Sequence, residues 1–187
     1  MSWRIEPLPE DGPLFEGAID VYAEAFALPP YSDPDRGEEI RFRLRQLHRE
    51  RPGYRGFIAL DEAGAQLVPP HGVVGMTYGY RSQRGQWWRD AVARELSEVQ
   101  VKRWLGDAYE LVEIATHPDF QGHGIGALLV RTLLQGRPEA SCVLSTRTDS
   151  RAHELYGRLG FEVVTEMTFS PGGAPFYVMG KPLIIGG

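Results

Sequence analysis

The sequence predicts an α/β (α+β) protein in which short strands and helices alternate within a single domain. Apolar residues switch repeatedly between a period of two and a period near 3.6. The stretch "DFQGHGIGALLVRTLL" (Asp119–Leu134) sets Gly122, Gly124 and Gly126 between a strand-like segment and a leucine-rich helical one. The chain then closes on two strand-like runs around the turn "SPGG". Its 187 residues suffice for one domain with a sizeable core and fall short of two ordinary ones.

"WRIEPL" (Trp3–Leu8) alternates and reads as the first strand. Phe15, Ala18, Ile19, Tyr22, Ala23 and Phe26 recur at helical spacing, and Pro29, Pro30 and Pro34 block continuation of that helix. Asp35 or Asp33 is placed to cap a second helix through Ile40, Leu44 and Leu47, which ends before Pro52. "YRGFIALDE" is a strand with Phe57 and Ala59 on one face and Ile58 and Leu60 on the other; "AGAQLVPPH" is the loop after it. In the next strand, "GVVGMTYGY" (Gly72–Tyr80), the internal Gly75 and Gly79 signal a bulge or the close approach of another element.

An inserted segment over 82–106 follows, where "DAVARELSEVQVKRWL" places Val92, Leu96 and Val99 on one face of a single helix. The strand "AYELVEIATHP" is closed by Pro118 and followed by the helix "GIGALLVRTLLQ" and the strand "SCVLST". "DSRAHELYGRLGF" aligns Ala152, Leu155, Tyr156 and Leu159 on a helix that Gly160 ends. "FEVVTEMTF" and "APFYVMGKPL" complete the order β-α-α-β-β-(α)-β-α-β-α-β-β, without internal repeats.

Composition narrows the function classes. A chain 42% hydrophobic and 24% charged reads as soluble and globular. A net charge of −5 supplies no basic field for nucleic acid. Cys142 is the one cysteine, which excludes an internal disulfide and a Cys-rich metal site, and the five histidines show no metal-ligand spacing. "MSWRIEPLPEDG" lacks the basic and apolar regions of a signal peptide, and no apolar run approaches the roughly 18 residues of a membrane helix. A cytoplasmic protein with no membrane partner is expected.

The glycine loop suggests an anion site. A helix start leaves backbone N–H groups unpaired, the helix dipole adds partial positive charge, and glycine admits φ > 0 while clearing space. "QGHGIG", between a strand and a helix with no acid in its first turn, is therefore a phosphate cradle or, more plainly, a flexible turn capping a helix. A P-loop is excluded because no Lys follows the glycines. The dinucleotide pattern is met literally by Gly122, Gly124 and Ala127, with Asp149 downstream, but four residues ("HPDF") separate strand from glycine and only a hairpin follows the second helix.

The stretch resembles the acyl-CoA-binding motif of the GCN5-related N-acetyltransferases (GNAT), Arg/Gln-x-x-Gly-x-Gly/Ala, through Gln121, Gly124 and Gly126. Before it, "VEIATHPDF" is similar to the family's hydrophobic strand and x-x-Pro-x-aromatic turn. After it, Ala152, Leu155, Tyr156, Gly160 and Phe161 match the family's Asn-x-x-Ala-x-x-Leu-Tyr-x-x-x-Gly-Phe motif. The resemblance is strong over 109–162 and elsewhere concerns element order alone. Two positions depart from it: Gln121 replaces the commoner Arg, and Asp149 stands where Asn is usual, either weakening a pantetheine contact or capping the helix.

The resemblance implies a central mixed, mostly antiparallel sheet of about six to seven strands, splayed in the middle and flanked by helices. It implies an N-acetyltransferase that uses acetyl-CoA and passes the acetyl group to a primary amine in a ternary complex. An alternative is a non-catalytic acyl-CoA-binding or regulatory module on the same fold. The backbone of Ile114, Ala115 and Thr116 is expected along the pantetheine arm, and that of Gln121, Gly122, His123, Gly124, Ile125, Gly126 and Ala127 around the pyrophosphate, with Asp149 nearby.

Tyr156 is the expected general acid for the leaving thiolate, although its apolar-face position also suits plain packing. Glu113 is the expected general base, directly or through water, because a carboxylate on a buried central strand is costly unless partnered. A rim salt bridge explains Glu113 equally well. Strand alternation sets it on the face opposite Glu110. His117 and His123 suit surface or cofactor-contact roles better than that of base. Tyr31, Tyr78, Tyr80, Trp87 and Trp88 are candidate walls for a small-molecule or peptide amine acceptor, of which one or two should touch it. A homodimer is an open expectation.

Overall fold

A computed structural model describes residues 2–62 and 70–183. Most of the expected loop over 63–71 lies outside the described residues. In chain order the elements are β1 (Trp3–Pro7), α1 (Pro13–Ala27), α2 (Arg36–Arg43), β2 (Arg55–Asp61), β3 (Val73–Arg81), α3 (Trp87–Glu95), α4 (Glu98–Leu105), β4 (Ala108–Thr116), α5 (Ile125–Leu134), β5 (Ser141–Arg147), α6 (Ala152–Arg158), β6 (Glu162–Thr168) and β7 (Pro175–Pro182). The seven strands form one mixed sheet in the order β1-β2-β3-β4-β5-β7-β6. The expected α/β class is therefore observed. Among the described residues no helix is long and apolar enough to cross a membrane. The chain divides into two units, Met1–Tyr80 with Val112–Gln135, and Arg81–Leu111 with Gly136–Gly187.

In the first unit β1 pairs antiparallel with β2 (Trp3↔Asp61, Pro7↔Phe57), and β2 antiparallel with β3, with a register shift at Ala59/Leu60. Period-two alternation sends the two faces of β2 to different layers. Ile58 and Leu60 join Phe15, Ile19 and Tyr22 of α1 and Ile40 of α2; Ala59 joins Val74, Ile125 and Leu129, with Phe57 packed against them. A sheet covered on both faces has no solvated side, which is why β3 is buried from Val73 through Tyr80.

Asp35 does occupy the N-cap of α2, but its side chain makes no capping bond, so the expected side-chain cap is absent. The α-helical geometry ends at Arg43, and a π turn carries the chain on from Leu44 to His48.

Gly75 marks a close approach, as its place inside a strand suggested. A Cβ there would lie 2.9 Å from Ile125 Cγ2, 3.0 Å from Leu129 Cδ1 and 3.2 Å from the Ala115 carbonyl oxygen. Gly75→Ala is accordingly expected to cost about 1–3 kcal/mol through overpacking. Urea unfolding measures this; an unchanged midpoint would mean that α5 moves aside freely.

In the second unit the inserted segment departs from the single helix expected. It forms two helices, broken at Leu96–Ser97. Ser97 starts α4 with a capping box: its hydroxyl accepts from the Gln100 N–H while the Gln100 side chain accepts from the Ser97 N–H. The break changes the helical phase, so Val99 is 77% exposed rather than aligned with buried Val92. Trp104 and Leu105 supply the buried face instead, with Ala108, Val143, Met167 and Val178.

β4 pairs parallel with β5 through Ala108–Glu110 against Ser141–Val143. β5 runs antiparallel to β7 over its full length, and β7 antiparallel to β6. The terminal hairpin therefore returns its second strand to the sheet interior and leaves its first at the edge.

Candidate active site

The turn between β4 and α5 is built for φ > 0. Gly122 and Gly124 have φ of +80° and +83°, in the left-handed region that non-glycine side chains rarely adopt. Gly124 is the N-cap of the ten-residue α5, whose first turn carries no acid. A Cβ on Gly122 or Gly124 would meet nothing within 4 Å among the described residues. The glycines thus border open space at a helix start, as a cradle for phosphate oxygens requires.

The rest of the loop is tied to its own backbone. The Gln121 side chain donates to the Thr116 carbonyl at 3.4 Å, and His123 Nδ1 lies 3.2 and 3.0 Å from the Phe120 and Gln121 carbonyls. His117 is buried, which corrects the surface position considered for it. Its Nδ1 accepts from the Asp119 N–H at 3.2 Å and its Nε2 reaches Glu24 Oε2 at 2.8 Å, so it pins the start of the turn to α1.

Glu113 sits three residues before Thr116, 8% exposed and facing α1 and α2. Its Oε1 lies 3.7 Å from the Arg36 guanidinium and 3.9 Å from that of Arg43. Both distances exceed the 2.7–2.9 Å typical of a charge-assisted hydrogen bond. The Tyr22 hydroxyl, which accepts from Arg36 Nε at 2.7 Å, is a further polar neighbour that acts to lower the Glu113 pKa. Burial outweighs the nearby cations and raises the Glu113 pKa above the ordinary carboxylate value. Burial likewise raises Tyr22, with the Glu113 charge adding to it.

Arg36 is fixed by stacking, with its guanidinium carbon 4.3 Å from the Phe26 ring centre, 5.3 Å from Tyr31 and 5.8 Å from Tyr22. Tyr31 is therefore half-buried at this cluster. Tyr78 is fully buried, its hydroxyl 2.9 Å from His48 Nδ1, and Tyr80 accepts from Arg51 at 2.8 Å.

Burial first, then the Arg51 and Arg43 charges, lower the His48 pKa to about 4. A histidine depressed in the folded state adds stability that is present above its unfolded pKa, near 6.5, and is lost as pH falls toward 4. Thermal melts are thus expected to drop across that window, and His48→Gln to flatten the drop; an equal slope in the variant would remove His48 as its source.

In the second unit Asp149 is exposed and held by Arg147 through two bonds, of 2.9 and 2.7 Å, which keep its carboxyl below the usual range. It does not cap α6: Arg151 is the N-cap, and Ser150 Oγ accepts the Ala152 N–H. Tyr156 is 4% exposed, edge-on to Phe161 with ring centres 5.8 Å apart. Trp87 is 65% exposed beside Phe169, and the Trp88 indole donates to Ser145 Oγ at 2.9 Å.

The family model described as "Acetyltransferase (GNAT) domain" matches residues 53–163, more than half of the chain. The chain belongs to the GNAT family. It is an N-acetyltransferase, and acetyl-CoA is its cosubstrate. The GCN5-like protein acetyltransferase of Mycobacterium tuberculosis is 30% identical over 191 residues, covering 89% of this acetyltransferase and 90% of the relative.

Solved structures share the fold. One is described as histone acetyltransferase HPA2 and related acetyltransferase from Corynebacterium glutamicum (TM-score 0.65, 24% identity, 97% of each chain). Another is the ribosomal-protein-S18-alanine N-acetyltransferase of Escherichia coli (TM-score 0.62, 18% identity, covering 100% of this chain and 97% of that one).

Within the first unit, the acetyltransferase brings Glu113, Ile114–Thr116 and the glycine turn onto one continuous strand–turn–helix. Reading the sequence missed Tyr22, Arg36, Arg43 and His48. Tyr22 looked like one more apolar-face residue of α1. Arg36 and Arg43 belong to a polar helix of ordinary appearance and His48 to the π turn after it; the arginines are distinguished by their approach to Glu113 and His48 by its burial.

Proposed function

We propose that this acetyltransferase moves the acetyl group directly to a primary amine within a ternary complex, without a covalent enzyme intermediate. The observation that carries the reading is Glu113: a buried carboxylate with a raised pKa, faced by two arginines at more than hydrogen-bond distance. A base with a pKa nearer neutrality is better matched to removing a proton from an ammonium, directly or through one water.

Bound acetyl-CoA supplies an activated acyl group. The backbone of Ile114, Ala115 and Thr116 holds its pantetheine arm, and an amide near Ile114 or Ala115 faces the acetyl oxygen. Gln121, Gly122, His123, Gly124, Ile125, Gly126 and Ala127 surround the pyrophosphate; the positive-φ glycines and acid-free first turn of α5 support this placement. Asp149 is assigned to the cofactor side and Tyr156 to protonation of the departing thiolate.

Of the proposed acceptor walls, Tyr31 is the best supported, because it flanks the Arg36 that approaches Glu113. Tyr78 and Tyr80 brace the cluster from within, and Trp87 offers an exposed ring. The acceptor is a protein amine on this reading, as the curated relative is described as a protein acetyltransferase. The chain works as one GNAT domain with an inserted segment over 82–106, located in the cytoplasm.

Purified protein mixed with acetyl-CoA and a library of lysine-containing and free-amino-terminal peptides is expected to release free thiol with one class and to bind acetyl-CoA in calorimetry. Binding without thiol release for any amine would mark a non-catalytic acyl-CoA module. A covalent acetyl-enzyme, sought by mass spectrometry, would overturn direct transfer.

A further inference from the structure

We propose that the inserted segment carries a second ligand site, for a small organic anion with an apolar body. A cleft of about 800 Å³ lies wholly within residues 81–106. That volume falls within the range of small-molecule pockets. The break at Leu96–Ser97 turns α4 away from the line of α3, and Ala93, Leu96 and Val101 from the two helices line the cleft.

The charges lining the cleft are four cations, Arg81, Arg84, Arg89 and Lys102, against one carboxylate, Glu98. This local excess stands out in a chain of net charge −5. Arg81 is satisfied by Asp107 at 2.8 Å. Arg84 and Lys102 pair with no carboxylate among the described residues. The Arg89 side chain is 10% exposed, and its one ion pair is to the adjacent Asp90 at 3.3 Å; the other oxygen of Asp90 accepts the Gly85 N–H.

An independent observation comes from Ser82. Its backbone N–H is used by the Ala108 carbonyl, but its hydroxyl is buried and has no partner among the described residues. A buried polar group without a partner calls for an explanation. Ser82 also lines the cleft, so a nearly buried guanidinium and an unpaired hydroxyl both border it. A carboxylate or sulfonate head accepting from Ser82, Arg89 and Lys102, with its body on Ala93, Leu96 and Val101, satisfies both. Nothing in this site depends on the acetyl-transfer reading.

The test uses the full chain and two dyes, 1-anilinonaphthalene-8-sulfonate and the uncharged N-phenyl-1-naphthylamine. Fluorescence titration is expected to show saturable binding of the sulfonate and at least about tenfold weaker binding of the neutral dye. Arg89→Gln and Lys102→Glu are each expected to weaken sulfonate binding by about tenfold. Lys102 is exposed, so Lys102→Glu tests the site even where Arg89→Gln disturbs folding. Saturating coenzyme A is expected to leave the dye in place. Equal affinity for both dyes, an unchanged affinity in folded Lys102→Glu, or displacement by coenzyme A would each overturn the site.

Discussion

Replacing Gly124 by valine is expected to weaken acetyl-CoA binding by about a hundredfold, the equivalent of two charge-assisted hydrogen bonds of roughly 1.5 kcal/mol each. The reason is backbone geometry rather than crowding. A side chain at this position meets nothing within 4 Å, yet the residue holds φ at +83°. A β-branched residue at positive φ is a conformational outlier, so the turn rearranges and the first N–H groups of α5 lose their convergence. The strain itself is about 1–2 kcal/mol and local, so the variant should still fold with near-native circular dichroism. Gly124→Asn, which tolerates the left-handed region, should recover part of the affinity. Calorimetry decides: a valine variant that binds acetyl-CoA as wild type does would separate the glycine turn from the cofactor.

Glu113→Gln is expected to lower kcat by about 10²–10⁴-fold, the usual contribution of a positioned acid–base group. In wild type, activity should rise with pH through an inflection above the ordinary carboxylate range, because burial raises the Glu113 pKa. The variant should lack that inflection.

Stability gives a second readout whose sign is fixed. A raised pKa means that the protonated form is favoured on folding, so this contribution is full below the unfolded carboxylate pKa and is lost as pH rises through the folded one. Glutamine imitates the protonated form at every pH. The melting temperature of the variant minus that of wild type should therefore increase from pH 4 to pH 8. A pH-independent difference, or a kcat close to wild type, would remove Glu113 from the role of base and leave it a structural ion-pair partner.

These two residues were legible in unequal degree. The glycine turn was visible because its constraint is local: three glycines before a leucine-rich helix with no acid in its first turn imply an unusual backbone next to unpaired N–H groups. Glu113 stood out as a carboxylate in a strand of apolar residues, but what surrounds it did not. Tyr22 and Arg36 lie more than 70 residues away in sequence, and nothing in their own segments separates a partner of Glu113 from an ordinary helical tyrosine or arginine. The inserted segment shows the opposite failure. Val92, Leu96 and Val99 fit one helical period, yet Ser97 and Gln100 form a capping box that restarts the helix and turns Val99 outward. The capping pair was readable in the sequence; the apolar spacing obscured it.

The sequence by itself determined the alternation of strands and helices and the glycine turn at α5, because each rests on spacing within one segment, and the family resemblance, which rests on two short motifs each readable locally. Tertiary structure alone decided the insertion of β7 between β5 and β6, the pinning of the turn by His117 on Glu24, and the raised pKa of Glu113. Strand order follows from which edges find partners. A pKa follows from how much water and which charges remain near a group after folding. Both depend on residues brought together from distant parts of the chain, which no local period records.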